Sequence, residues 1–322
     1  MKIDNCVVQH DEYNLVTSMI TDCHQSYLDG DTPRNLRVEG VSGVGKSTVL
    51  KEYAARHGRY DTDEGTIVPV LYVALPSRPS EMAIYTSMLH ALGDPFAYRG
   101  RTPERRLRLV KLINGCKVET LLIDEIHHLL DRGKLKTHTA NADALKMLIE
   151  DLERPVVLAG APRCFELFRI NTQLRGRFKT VKHISPFSVA TEENAAKLKK
   201  LARTLVKEAG FNNANFFDDD ENLHRLFYAT DGILRNLAEL LGNAYRISER
   251  QRSTELAMPY LHDAFQLWVG GAGNKNESIN PNPFKKIFSP RRLILPNELY
   301  EPSALDGDNH QWSLDPNDFK GR

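Results

Sequence analysis

Gly40-Val41-Ser42-Gly43-Val44-Gly45-Lys46-Ser47-Thr48 fits the pattern G-x-x-x-x-G-K-[ST], and no other stretch restricts the chain as strongly. Before it, Asn35-Leu36-Arg37-Val38-Glu39 reads as a short strand; after it, Val49-Leu50-Lys51-Glu52-Tyr53-Ala54-Ala55-Arg56 reads as a helix. In that context the glycines let successive backbone N–H groups turn inward, and the helix N-terminus adds partial positive charge. Such a loop holds nucleotide phosphates. The residues expected at the nucleotide are Gly40, Ser42, Gly43, Val44, Gly45, Lys46, Ser47 and Thr48. Lys46 is expected at the β- and γ-phosphates, and the Ser47 hydroxyl as a ligand to Mg²⁺.

The 322 residues suit two domains, or one large domain with a tail, and 41% hydrophobic content supports a substantial core. A net charge of +1 does not mark the whole chain as a nucleic-acid binder, so any basic surface must be local. The first residues lack the apolar core of a secretory signal, and no apolar run approaches membrane-spanning length. Cys6, Cys23, Cys116 and Cys164 are scattered, without a C-x-x-C pair, as expected of reduced thiols in a cytoplasmic protein. His127-His128 is read as structural, because adjacent residues on an α-helix point about 100° apart.

Taken in order, the chain alternates helix and strand signals. An amphipathic helix is expected from about Asp11 to Tyr27, broken by Gly30-Asp31-Thr32-Pro33. A second strand runs from Ile67 to Leu75, and helices follow at Ser80 to Leu92 and after Thr102-Pro103, with Thr102 as the cap. The third strand, Thr120-Leu121-Leu122-Ile123, ends in Asp124-Glu125; a helix from about Asn141 to Leu152 leads to a fourth, Val156-Val157-Leu158-Ala159. The expected fold is α/β, a doubly wound parallel sheet with ligands gathered at the carboxyl ends of its strands. Strand signals then stop, and helical spacing takes over. The expected domains are 1–188 for the nucleotide-binding unit, 189–270 for a small all-α lid and 271–322 for an extended, flexible tail.

Chemistry beyond the phosphate loop centres on Asp124 and Glu125. An apolar strand ending in adjacent carboxylates offers one acid to the Mg²⁺ shell, here Asp124, and one to polarise a water aimed at the γ-phosphate, here Glu125. Small phosphotransferases need no such pair, so it points to hydrolysis of ATP. Gln173-Leu174-Arg175-Gly176-Arg177-Phe178 offers Arg175 or Arg177 to a neighbouring subunit's site, and Arg235 opens a helix that would place it over the bound nucleotide. From Arg99 to Lys117 seven basic residues face one acid, Glu104; Arg101, Arg105, Arg108 and Lys111 fall near one stripe, and Lys134 and Lys136 follow in a second basic run. These are the candidate contacts to duplex DNA phosphates. Neither run is interleaved with aromatic residues, so tracking of the backbone is expected rather than base stacking.

Together the phosphate loop, the Asp-Glu strand, the basic turn and the helical lid with an early Arg resemble an AAA+ ATPase of the initiator-like branch. More narrowly, Leu122-Ile123-Asp124-Glu125-Ile126-His127-His128-Leu129, Val157-Leu158-Ala159-Gly160, Gln173-Leu174-Arg175-Gly176-Arg177-Phe178 and Asn282-Pro283-Phe284 look like the TniB/TnsC proteins of DNA transposons. That resemblance covers about residues 10–285. It implies ATP-dependent oligomerisation on duplex DNA, in a ring or helical assembly of about six or seven subunits per turn, linking a target-selector protein to a transposase. The sequence departs from the AAA+ pattern at one place: the fourth strand, usually ended by a polar sensor residue, ends Ala159-Gly160-Ala161, with Ala161 at the sensor position. An initiator or helicase-loader ATPase and an ATP-binding scaffold with little hydrolysis are the alternative readings. Phe284, Ile287, Phe288, Leu293, Ile294, Leu295, Leu299 and Tyr300 form apolar islands in the tail, which is expected to capture a transposase subunit.

Overall fold

The computed structural model describes residues 7–131, 135–271, 281–287 and 290–301. It divides the chain into two compact units: Asp11–Ile184, and residues 7–10 with the described residues from Ser185 onward.

The first unit runs α1 (Asp11–Leu28), β1 (Leu36–Glu39), α2 (Lys46–Arg56), a hairpin of β2 (Tyr60–Thr62) and β3 (Gly65–Ile67), β4 (Val70–Ala74), α3 (Glu81–Leu92), α4 (Thr102–Gly115), β5 (Thr120–Asp124), α5 (Leu135–Leu152), β6 (Val156–Gly160), α6 (Phe165–Ile170), α7 (Thr172–Arg177) and β7 (Thr180–His183). Five strands form one parallel sheet in the order β4-β5-β6-β1-β7. β5 and β6 are buried along their whole length, which is why they read as unbroken apolar runs. β7 gives no such signal. It is an edge strand with partly exposed positions, and Val181 is its single apolar residue. The expected strand from Ile67 to Leu75 is split at Pro69, whose carbonyl accepts from the N–H groups of Glu119 and Thr120.

Side-chain alternation assigns the faces. Leu71, Val73, Leu121, Ile123, Val156 and Leu158 pack with residues of α3, α4, α5 and α6 in one core. The intervening residues Leu122, Asp124 and Tyr72 therefore face the opposite side, where α2 lies against β4, β5 and β6. That face carries the chemistry. α4 begins at Thr102, so the capping position is Arg101, whose N–H is accepted by Glu104 at 2.9 Å, rather than Thr102.

The second unit is helical: α8 (Glu192–Ala209), α9 (Asp220–Thr230), α10 (Leu234–Arg250) and α11 (Met258–Gly271). Leu198, Leu205, Phe227, Leu237, Leu241 and Phe265 build its core. Phe284 and Leu293, from the stretch expected to be a flexible tail, join that core at 5% and 1% exposure. Over its described residues the tail is therefore part of the fold. Its anchors are polar and distant in sequence. The Arg225 guanidinium donates to the carbonyls of Pro283 and Lys285, Arg292 makes two bonds to Asp231 at 2.6 and 2.7 Å, and the Tyr300 hydroxyl donates to the Ala229 carbonyl. Arg292 and Asp231 are only 11% and 10% exposed as side chains, so cutting the pair strands a buried carboxylate. Arg292→Ala is expected to lower the stability of the full-length protein by about 3 kcal/mol in denaturant unfolding. An unchanged midpoint would contradict this anchoring.

Candidate nucleotide site

At the carboxyl end of β1 the Gly40 N–H donates to the Gly160 carbonyl of β6, and a Cβ at Gly40 would meet the Ile184 carbonyl oxygen at 2.5 Å. Only glycine fits so close a strand end. The turn then needs left-handed backbone at Gly43 (φ 87°) and Gly45 (φ 105°), and α2 begins at Lys46 directly after it. A helix N-terminus set against such a turn brings partial positive charge to it, an arrangement that suits phosphate oxygens. Lys46 is 6% exposed and donates to the carbonyls of Gly40 at 2.6 Å and Val41 at 2.9 Å. It braces the loop across its mouth. Ser47 follows, partly buried; Ser42 and Thr48 are exposed, and the Val44 side chain is buried, leaving Val44 only its backbone to offer.

The two acids occupy different environments. Asp124 is fully buried at the end of β5, on the face carrying α2; one carboxylate oxygen accepts the Glu125 N–H at 2.8 Å and the other the Tyr72 hydroxyl at 3.1 Å. Burial, reinforced by the Asp124 charge, pushes the Tyr72 phenol far up, so it remains a donor that fixes the carboxylate's direction. Sequence reading missed Tyr72. Its signal is a tyrosine in an apolar strand, two residues before Ala74, which the register sets opposite Asp124. Glu125 sits in left-handed backbone (φ 59°, ψ 32°), a conformation costing a non-glycine residue about 1–2 kcal/mol. Strain at this point ends the strand and starts a tight turn, Ile126–Leu130.

That turn corrects the reading of His127 and His128. They are not on an α-helix, and their ring centroids lie 4.5 Å apart. His127 Nδ1 is 3.2 Å from a Glu125 carboxylate oxygen and 3.3 Å from the Ala161 N–H. Burial first, then the proximity of His128, pushes the His127 imidazole down to about 4, so it is neutral at pH 7. Glu125, His127 and His128 bring their ligating atoms within 4.8 Å of one another, the one such cluster among the described residues.

The arginines separate clearly. Both lie in α7, just before β7 begins at the amino-terminal end of the sheet, opposite the phosphate loop. Arg177 is engaged by Glu150 at 2.8 Å; Arg175 is exposed and has no side-chain partner among the described residues. Arg235 is the second residue of α10 in the helical unit. Of the expected DNA contacts, Arg101 and Lys136 are exposed, as is Lys111, and Lys134 lies outside the described residues. Arg105 is a correction. It is 8% exposed, and its guanidinium is held by Gly100, Thr86 and Tyr98, so it fastens α4 to α3 instead of facing outward. Arg108 is likewise tied inward, to Asp94 at 2.9 Å and to the carbonyls of Phe96 and Arg99. An aromatic pair does stand beside the basic stripe: Phe96 is 49% and Tyr98 70% exposed, immediately before Arg99.

Comparison with known proteins agrees with this geometry. A family model described as the bacterial TniB protein matches residues 5–186. Among solved structures, the Aeropyrum pernix ORC1 protein in complex with DNA is 17% identical at a TM-score of 0.57, over 84% of this chain and 67% of that one. The Pyrobaculum aerophilum Cdc6p structure is 14% identical at 0.57, over 80% and 67%. The Aeropyrum pernix ORC2 protein with ADPNP and ADP is 15% identical at 0.56, over 79% and 66%. No curated protein sequence matches. The fold is that of AAA+ P-loop ATPases, and among the described residues no helix is long and apolar enough to cross a membrane.

Proposed function

The chain belongs to the bacterial TniB family, and from that premise we propose that it is an ATP-hydrolysing regulator of DNA transposition that assembles head-to-tail on duplex DNA. The observation that carries the reading is the division of the catalytic groups between the two ends of one sheet. The phosphate loop and Asp124 lie at the carboxyl ends of the strands; Arg175 lies before the amino end of β7. Four residues of strand separate those ends by about 13 Å, more than an arginine side chain spans. Arg175 therefore serves another subunit's nucleotide, and a surface that gives Arg175 at one end and receives it at the other builds a ring or a helix.

Within one site the roles follow from the geometry. Backbone N–H groups of Gly43, Gly45 and the start of α2 take the phosphates, with Lys46 turning from its loop carbonyls to them. Ser47 and Asp124 would hold Mg²⁺, which supplies positive charge at the phosphates. Glu125, partly exposed beside the buried Asp124, accepts a proton from the attacking water. The transposase contact assigned to the tail does not fall to Phe284 and Leu293, which are committed to the helical core.

Support for the DNA part is local charge. Arg101 and Lys136 are exposed cations able to meet phosphates, as Arg105 and Arg108 are not. Replacing Arg101 and Lys136 together with Ala is expected to weaken binding to unrelated duplexes alike and to reduce the log–log salt slope by about 1 per lost contact. A double variant with an unchanged slope would remove these residues from the interface. A wild-type protein that shows no affinity for duplex in the presence of ATP would contradict the DNA reading itself.

A further inference from the structure

We propose that His127 is the positioning residue of Glu125, holding its carboxylate in the working direction from a place where the neighbouring strand supplies no polar side chain. The inference rests on the ATPase reading above.

β6 runs between β1 and β5, and its register sets Leu158 opposite Ile123. Two residues further, Gly160 stands level with Glu125. A side chain there has no room: a Cβ on Gly160 would meet Ile126 Cγ1 at 2.9 Å and the His127 backbone nitrogen at 3.3 Å. The turn that starts in the left-handed backbone of Glu125 fills that space and delivers the His127 imidazole against Ala161. The turn that fills the space beside Gly160 thus brings a polar side chain from β5 to Ala161, where β6 supplies none.

His127 Nδ1 faces two groups with opposite needs. The Glu125 carboxylate, 3.2 Å away, requires a donor; the Ala161 N–H, 3.3 Å away, requires an acceptor. A neutral imidazole has one proton to place, and the ring is neutral because burial and its cationic neighbours hold it so. With the proton on Nδ1, His127 holds Glu125; with it on Nε2, His127 takes the Ala161 N–H and lets the carboxylate go. Glu125 is thus oriented by a side chain that carries no net charge.

The test compares ATP affinity and kcat for His127→Ala and His127→Asn, alone and with Glu125→Gln or Ala161→Asn. ATP affinity is expected to stay within about 2-fold of wild type, while kcat of His127→Ala falls about 10- to 100-fold. His127→Asn, which keeps a neutral donor and secures the test if the alanine variant does not fold, should lose less. Ala161→Asn should restore part of the loss by returning a neutral amide to the sensor position. Adding His127→Ala to Glu125→Gln should cost nothing further, because the group being positioned is already inert. Unchanged kcat in both His127 variants, or a double variant slower by the product of the single effects, would overturn the inference. A wild-type protein that binds ATP and never turns it over would overturn the ATPase reading and this inference with it.

Discussion

Glu125→Gln is expected to cut ATP turnover by about 100-fold or more while leaving ATP affinity near that of the wild type. Glu125 sits beside the phosphate loop, on the strand end next to Asp124, and contributes only once a water is to be deprotonated. The amide keeps the size and loses the base. Nucleotide then stays bound as ATP, and an assembly that depends on ATP is locked. Lys46→Ala should behave differently. Lys46 is a buried ammonium inside the loop, bridging the Gly40 and Val41 carbonyls, so its loss removes ground-state charge complementarity and loosens the loop at once. Binding, and not only turnover, should fail. Equal loss of binding in both variants would remove the distinction between the two residues.

Arg175→Ala is the second large effect. Its own phosphate loop is out of reach at the other end of the sheet, so the variant should bind ATP as the wild type does. Turnover should fall by at least about 100-fold, the scale of removing an arginine that neutralises charge in phosphoryl transfer. Arg177→Ala should do much less to chemistry, because its guanidinium is already spent on Glu150. The two arginines were equivalent in the sequence. Only the partner on α5, 27 positions away, separates them.

What could be read from the sequence was whatever depends on neighbours along the chain. The phosphate loop and the Asp124-Glu125 strand end are local patterns, and β5 and β6 announce themselves because both faces are buried. β7 escaped because an edge strand tolerates the polar residues that hide it. Arg105 was misplaced because helical spacing puts it on a basic stripe, whereas the packing of α3 on α4 turns it inward. The described residues between Asn282 and Tyr300 lacked periodicity because they are neither helix nor strand; Arg225 and Asp231, far upstream, hold them. His127 was dismissed on α-helical geometry, which the left-handed Glu125 replaces with a tighter turn.

If subunits complete one another's nucleotide sites on DNA, Glu125→Gln protein mixed with Arg175→Ala protein on duplex DNA should regain ATP turnover. Each variant alone should be inert. In an equal mixture, an Arg175→Ala subunit with an intact phosphate loop and Glu125 will in places adjoin a Glu125→Gln subunit that still carries Arg175. Random head-to-tail order makes about a quarter of the sites complete, so turnover should recover to about a quarter of wild type. A mixture as inactive as its parts, with both proteins bound to the DNA, would mean that Arg175 does not serve a neighbouring subunit's site.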